Sequence, residues 1–252
     1  VQEQAMTLKD GSTPNDPRLG RIYQEDWRSL NFMAADRMTS LQMSKPRSFS
    51  WQIPGAIVLD QGQEGACVGF GWTHELLAKP MAIPQLDGTF AREKIYWPAQ
   101  VQDEWPGGAY PAAEPRYEGT SVLAGAKVCQ SLGYFREYRW AMNTLELALA
   151  IGYQGPAVIG VKWMTGMFNT DPEGFIHTTG TAEGGHCVML NQTKIFWTSD
   201  RQVNPDKSYL GGINSWGTDW GVGGKFRITF TEFDKLVEGS DLCIPVNRAK
   251  GN

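Results

Sequence analysis

Thiols and imidazoles are scarce in this chain, with 4 cysteines and 3 histidines in 252 residues, so each can be weighed as a nucleophile or base. A thiol attacks as its thiolate, and a helix N-terminus favours the thiolate through free N–H groups and a positive dipole end. Cys67 has that placement. It heads the run CVGFGWTHELLA, whose apolar residues recur at helical spacing, after the turn Gln61-Gly62-Gln63-Glu64-Gly65 and before the stop at Pro80. Its own N–H is positioned to hold a developing oxyanion, and Gln61 brings a side-chain amide across the turn to the same point.

His186 follows Gly184-Gly185 and opens the apolar run Cys187-Val188-Met189-Leu190, which predicts an imidazole at a strand edge facing a cleft. Asn214 ends the predicted strand Tyr209 to Ile213 and begins Asn-Ser-Trp-Gly, so its amide oxygen can accept from the histidine and fix the tautomer. Trp216 is the candidate shield over that bond. His74 shares the helix of Cys67 about two turns on, where a ring does not meet the thiol, and is read as surface or packing. His177, in the loop FIHTTGTAEGGH, lacks the Gly-Gly approach of His186. Cys129, Cys187 and Cys243 take the ordinary reading of small buried hydrophobes.

Several elements must position these groups. A second helix is expected from a cap at Thr120 or Ser121 to Leu132, stopped by Gly133, with a Pro-, Gly- and aromatic-rich loop between the two helices. Asn143 with Glu146 resembles a capping box opening a short helix that ends near Gly155-Pro156. Beyond it AVIGVKW, HCVMLN, KIFW, YLGGINSW and GKFRITF read as strands, and TEFDKLV as a terminal helix capped by Thr231. Residues 1–50 are polar and turn-rich around one amphipathic stretch from Trp27 to Met38, and read as an arm on the domain or as a tail.

The three blocks QGQEGACVGF, GGHCVML and INSWGTDWGVGGKFRI resemble the cysteine, histidine and asparagine blocks of papain-like cysteine peptidases. Their order matches as well, at separations near the roughly 130–150 residues of that family. The third block is the most specific: Asn214, Ser215, Trp216, Gly217, Trp220, Gly221 and Gly224 fill its NSWGxxWGxxG pattern. The resemblance spans residues 51–235. It implies an α+β, papain-like two-lobed fold: an arm (1–50), a helical lobe carrying the nucleophile (51–140), and an antiparallel, β-barrel-like lobe carrying His186 and Asn214 (141–252), with the cleft between lobes. It implies an oxyanion hole of Gln61 and the Cys67 N–H, and peptide-bond cleavage through an acyl-enzyme. Gly119 and Thr120 resemble the place where such peptidases pair with substrate backbone, with Gly107-Gly108 as a rival. The upstream cysteine and following aromatic of the family's cysteine block are missing, so one family disulfide is not expected. DPRLGR and LDQGQEGACVGFGWTHEL resemble papain-like proteins of bacteria and their phages.

Composition narrows the remaining classes. Hydrophobic residues make up 41% and charged residues 20%, enough apolar surface for a packed core. A net charge of −4 without massed Lys or Arg argues against nucleic acid as a partner. No run approaches the roughly 18 apolar residues of a membrane helix, and the first residues lack the pattern of a secretory signal. The cysteines contain no CxxC pair, so a zinc knuckle and a dense disulfide framework are not expected. The expected partner is a peptide or protein substrate, with no metal or organic cofactor, in a cytoplasmic or virion-associated setting. Two other readings stand beside this one: a silent papain-fold protein that binds an assembly partner through the arm, and a cysteine hydrolase of a non-protein amide.

Overall fold

The computed structural model describes residues 6–251 and, apart from Leu30, their side chains. Helices form where the start signals stand. Val122–Ser131 begins at Ser121, whose Oγ accepts the Ala124 N–H at 3.0 Å. Thr144–Tyr153 begins at Asn143, whose Oδ1 accepts the Glu146 N–H at 2.9 Å, while Glu146 reaches back to the N–H of Met142 rather than of Asn143. The helix Cys67–Leu77 is buried along its whole length. A helix enclosed on every side has no polar face to give it a strong period. His74 is part of that packing: its Nε2 accepts the Leu59 N–H at 3.0 Å, and burial pushes its pKa down to about 3.

The region read as a loop between the first two helices is helical over 88–102. Asp87 caps it by accepting the Phe90 N–H at 2.8 Å, a π-helical stretch Ala91–Tyr96 follows, and the last turns are Trp97–Gln102. Pro98 lies inside this continuous helical run, immediately after the π-helical stretch, so its missing N–H falls where the ordinary i→i−4 ladder is already interrupted and the helix does not end there.

Among the described residues seven strands build one antiparallel sheet: β1 (Phe49–Ser50), β2 (Phe135–Trp140), β3 (Ala157–Met164), β4 (Ala182–Lys194), β5 (Tyr209–Ile213), β6 (Lys225–Thr229) and β7 (Asp241–Arg248). The order is β2-β7-β3-β4-β5-β6, with β1 beside β4. The ends of this path do not pair, so the sheet is open rather than closed into a barrel. Its central strands are buried on both faces. Val158, Cys187 and Cys243 pack with Cys67, Trp72 and Val122 of the helical lobe, while Ile159, Val161, Val188 and Leu242 join Trp163 and Phe226 in a second core. Burial on both faces explains why AVIGV and HCVML are continuous apolar runs rather than alternating ones. All four cysteines are buried and unpaired.

Three expectations are corrected. KIFW does not form a strand of its own: Lys194 ends β4, and the N–H groups of Ile195 and Phe196 go to Ser48 Oγ and Ser208 Oγ, each at 2.9 Å. The helix read at TEFDKLV is Phe230–Asp234, capped by Thr229 rather than Thr231. The chain then continues into β7, whose Pro245 masks its strand character in the sequence. The strand expected to open at His186 begins at Ala182, so His186 lies inside β4, with its neighbours on both sides paired along the ladder, rather than at its edge. The amphipathic stretch Trp27–Met38 forms two 3₁₀ turns, Trp27–Asn31 and Ala34–Arg37.

The N-terminal segment lies on the domain. Residues 7–22 run between the lobes, bonding to Glu118 and Thr120 on one side and to Glu183 and Gly185 on the other. Leu8, Leu19 and Ile22 are buried there, and Lys9 pairs with Asp103 at 2.6 Å in full burial.

Candidate active site between the lobes

Cys67 is the first residue of its helix, and Ala66 before it offers no side-chain cap, so the first N–H groups of the helix remain for other partners. Gln61 is held by two bonds to Ser215. Its Oε1 accepts the hydroxyl of Ser215 at 2.7 Å, and its backbone N–H donates to the Ser215 carbonyl at 2.8 Å. Fixing the oxygen end of the amide fixes where the nitrogen end points. Nε2 donates to the Glu64 carbonyl at 2.7 Å and to the carbonyl of Arg18, in the arm, at 3.0 Å.

His186 stands opposite Val161 in the β3–β4 ladder and is completely buried. Its Nε2 lies 2.8 Å from Asn214 Oδ1, which also accepts the Ser215 N–H at 2.8 Å. Asn214 follows β5 directly, so the β4–β5 pairing of Met189 with Ile213 carries the two side chains together. Trp216 lies over this pair, its ring centroid 4.8 Å from that of His186, and Trp163 presents an edge at 4.7 Å. Burial pushes the His186 pKa down to about 4 against the opposing effect of the hydrogen bond that Asn214 Oδ1 accepts from the ring.

The cleft is filled by the protein's own chain. Arg21 N–H donates to the Gly185 carbonyl at 3.0 Å, Thr120 N–H to the Gly20 carbonyl at 3.0 Å, and Ile22 N–H to the Thr120 carbonyl at 2.9 Å. The Arg18 guanidinium stacks 3.9 Å above the Trp216 ring. Gly20 is required for this fit, since a Cβ there would stand 1.9 Å from the Gly65 carbonyl oxygen. As a result Cys67 has no exposed surface, and burial pushes its thiol up to about 11 despite nearby backbone groups of Cys187, Gly20 and Val68. His186 Nδ1 is buried without a partner, so no hydrogen bond joins it to the thiol. In this arrangement thiol and imidazole are both neutral at pH 7.

The structure thus gathers Gln61, Cys67, His186, Asn214 and Trp216 around the point where the arm crosses. Of the two glycine-containing candidates for backbone pairing, Thr120 bonds the arm through both its N–H and its carbonyl. Gly119 instead donates to the Tyr96 hydroxyl at 2.8 Å and accepts from Gln100 at 2.9 Å. Gly107 and Gly108 are engaged within their own loop, where the Gly108 N–H meets the Pro115 carbonyl at 3.1 Å. His177 lies in an exposed pair with Asp171 at 3.0 Å. Sequence reasoning missed Ser215 and Trp163. The first sits inside the Asn-Ser-Trp-Gly block and was legible as a neighbour; the second reads as one more apolar strand residue. Among the described residues no group of three or more His, Cys, Asp or Glu side chains is set to hold a metal ion, and no helix is long and apolar enough to cross a membrane.

No family model matches the sequence. A cathepsin B-like cysteine proteinase 6 of Caenorhabditis elegans is 38% identical over 74 residues, a stretch covering 29% of this chain and 17% of that protein. Among solved structures, xylellain, a cysteine protease from Xylella fastidiosa, superposes with a TM-score of 0.61 at 15% identity, covering 99% of this chain and all of the other. A recombinant stem bromelain precursor gives 0.54 at 17% identity over 99% of this chain and 85% of its own. ProCathepsin B S9 from Trypanosoma congolense gives 0.52 at 14% identity, with 92% and 87% covered. With its helical lobe, its open antiparallel sheet and the cleft between them, the chain has the fold of the papain-like cysteine proteases.

Proposed function

We propose that this protein is a cysteine peptidase held in a latent state by its own N-terminal arm. The observation that carries the reading is the Gln61 amide, which already holds a peptide carbonyl, that of Arg18, at 3.0 Å in the cleft headed by Cys67. A site built to bind a peptide carbonyl there supplies the donor that acyl transfer needs. In the reaction, the His186 imidazole takes the thiol proton and the Cys67 thiolate adds to the substrate carbonyl carbon. Gln61 and the Cys67 N–H stabilise the oxyanion. The imidazolium then protonates the leaving amine as the C–N bond breaks, giving a thioester, and water activated by His186 hydrolyses it to the acid and the free thiol. Asn214 keeps the imidazole turned with Nε2 bonded and Nδ1 free for this exchange, and Trp216 shields that bond from water.

Latency follows from the neutral, solvent-excluded thiol and imidazole. Two of the fold relatives reported above are themselves precursor forms by name, in keeping with a closed cleft. The same burial also supports a second reading, in which the arm is permanent and the protein serves as a structural component bound to an assembly partner. Intact mass after treatment with a cysteine-directed peptidyl epoxide separates the two. The comparison is between Gly20→Ala, which loosens the arm, and the same variant with Cys67→Ala or with His186→Ala added. A single adduct on Cys67 that depends on His186 supports the peptidase. A Cys67 that stays unmodified once the arm is loosened would leave the structural reading standing and sink this one.

A further inference from the structure

Arg21 is the residue after Gly20, whose backbone lies beside the Cys67 thiol, and its side chain is almost wholly buried. The guanidinium enters a slot between the lobes. Its Nε and Nη2 donate to Asp241 Oδ2 at 2.8 and 2.6 Å, and Nη2 also donates to the Gly239 carbonyl at 2.9 Å. Both side chains are nearly fully buried, at 3% and 5% exposure. Two glycines make the room. A Cβ on Gly160, which pairs with Asp241 between β3 and β7, would lie 2.6 Å from Arg21 Nε and 2.7 Å from Asp241 Oδ2. A Cβ on Gly185, next to His186, would lie 3.1 Å from Arg21 Cδ.

We propose that this slot is a substrate-recognition pocket for a positively charged side chain, and that Arg21 occupies the place of an arginine or lysine lying within two residues of the scissile bond. The proposal rests on the peptidase reading and deepens it by naming the substrate class. Asp241 has no side-chain partner other than Arg21 among the described residues. When the arm leaves, the Asp241 carboxyl remains in a slot bordered by Gly160 and Gly185, whose occupant had been the residue next to Gly20, the arm residue beside the reacting thiol. A buried charge without a partner is strongly unfavourable, so the vacated slot favours substrates that restore a hydrogen-bonded cation and disfavours apolar ones. A mere anchor for the arm does not need this arrangement, because apolar side chains of similar volume hold two surfaces together at least as well as a buried ion pair.

The test uses the full chain carrying Arg21→Ala, in which the slot is empty. Cys67 labelling is followed with matched arginyl and norleucyl peptidyl ketones, and with iodoacetamide as a reagent that needs no pocket. The expected result is labelling about tenfold or more faster by the arginyl reagent, equivalent to about 1.4 kcal/mol. Adding Asp241→Asn should bring that ratio to about one or below while leaving the iodoacetamide rate unchanged, which a purely anchoring role of Asp241 does not predict. Equal arginyl and norleucyl rates in Arg21→Ala, or reaction with iodoacetamide alone, overturn the proposal. If Cys67 ignores all three reagents the peptidase reading fails on its own account, and the slot is then judged by ethylguanidinium. A rise in the melting temperature of Arg21→Ala that is absent in Arg21→Ala/Asp241→Asn supports a cation pocket, and no rise overturns it.

Discussion

Gly20→Ala should open the cleft without unfolding the protein. The added methyl would lie 1.9 Å from the Gly65 oxygen, 2.3 Å from its carbonyl carbon and 2.5 Å from its Cα. All three are backbone atoms of the turn leading into Cys67, so no flexible side-chain tip is available to move aside. Overpacking of this kind costs about 1–3 kcal/mol, and the arm, being the more peripheral partner, is the part that yields. The contacts opposing its release beside Gly20 include the three backbone bonds to Gly185 and Thr120 and the Gln61 bond to Arg18, each contributing about 1 kcal/mol, and further along the arm the buried Arg21–Asp241 and Lys9–Asp103 pairs and the buried Leu19 and Ile22. A strain of the expected size offsets part of this hold and raises the open population by about 5- to 150-fold. Iodoacetamide labelling with the modified site mapped by peptide mass reads this out. The other three cysteines are buried in the core and serve as internal reporters of global unfolding. The expected result is selective acceleration at Cys67 in Gly20→Ala, with the exposed arm variant Thr13→Ala unchanged. Labelling of Cys67 no faster than in wild type, in a protein that remains folded, would refute the argument. Equal acceleration at all four cysteines would show that the strain is relieved in the core instead.

Three other outcomes follow from the same contacts. The unfolded chain takes up a proton on His186 near its ordinary value of 6.5, but the folded chain only near about 4, so the unfolded state binds more protons between these values. Stability contributed by neutral His186 is therefore complete above pH 6.5 and is lost as pH falls towards 4, by about 3 kcal/mol at most. Denaturant melts of wild type and His186→Gln at pH 7 and 4.5 should show the smaller loss in the variant; equal losses would contradict the assignment. Trp216→Ala removes a buried ring that meets His186, Trp163, Phe168 and Arg18, and should cost about 3–5 kcal/mol in a urea melt, with Cys67 labelling accelerated as Arg18 loses its platform. Ser121→Ala removes the cap of the Val122–Ser131 helix and a 2.7 Å bond to Gln24, and should cost about 1 kcal/mol in the same assay.

What the sequence by itself determined was local. Cys67 could be placed at a helix start because a glycine turn, an apolar run and a proline stop lie within a few residues of one another. Asn214 could be placed at a strand end because Asn-Ser-Trp-Gly marks it, and the helix caps at Ser121 and Asn143 were legible in the same way, whereas Gly-Gly did not mark the start of the strand that carries His186, which begins at Ala182. β7 escaped notice because its proline and its position past a helix contradict a strand locally, while the two-faced burial that makes it a strand comes from both lobes at once. The tertiary structure alone decided the state of the site. The Arg18 carbonyl at Gln61 and the pairing of Arg21 with Asp241 join positions 43 and 220 residues apart, and no periodicity or spacing rule encodes such a contact. Nothing in the sequence distinguishes Gly20 and Gly160, and Gly185 stands out there only as part of the Gly-Gly before His186. Only the packed lobes reveal that each is small because another segment passes where its side chain would be.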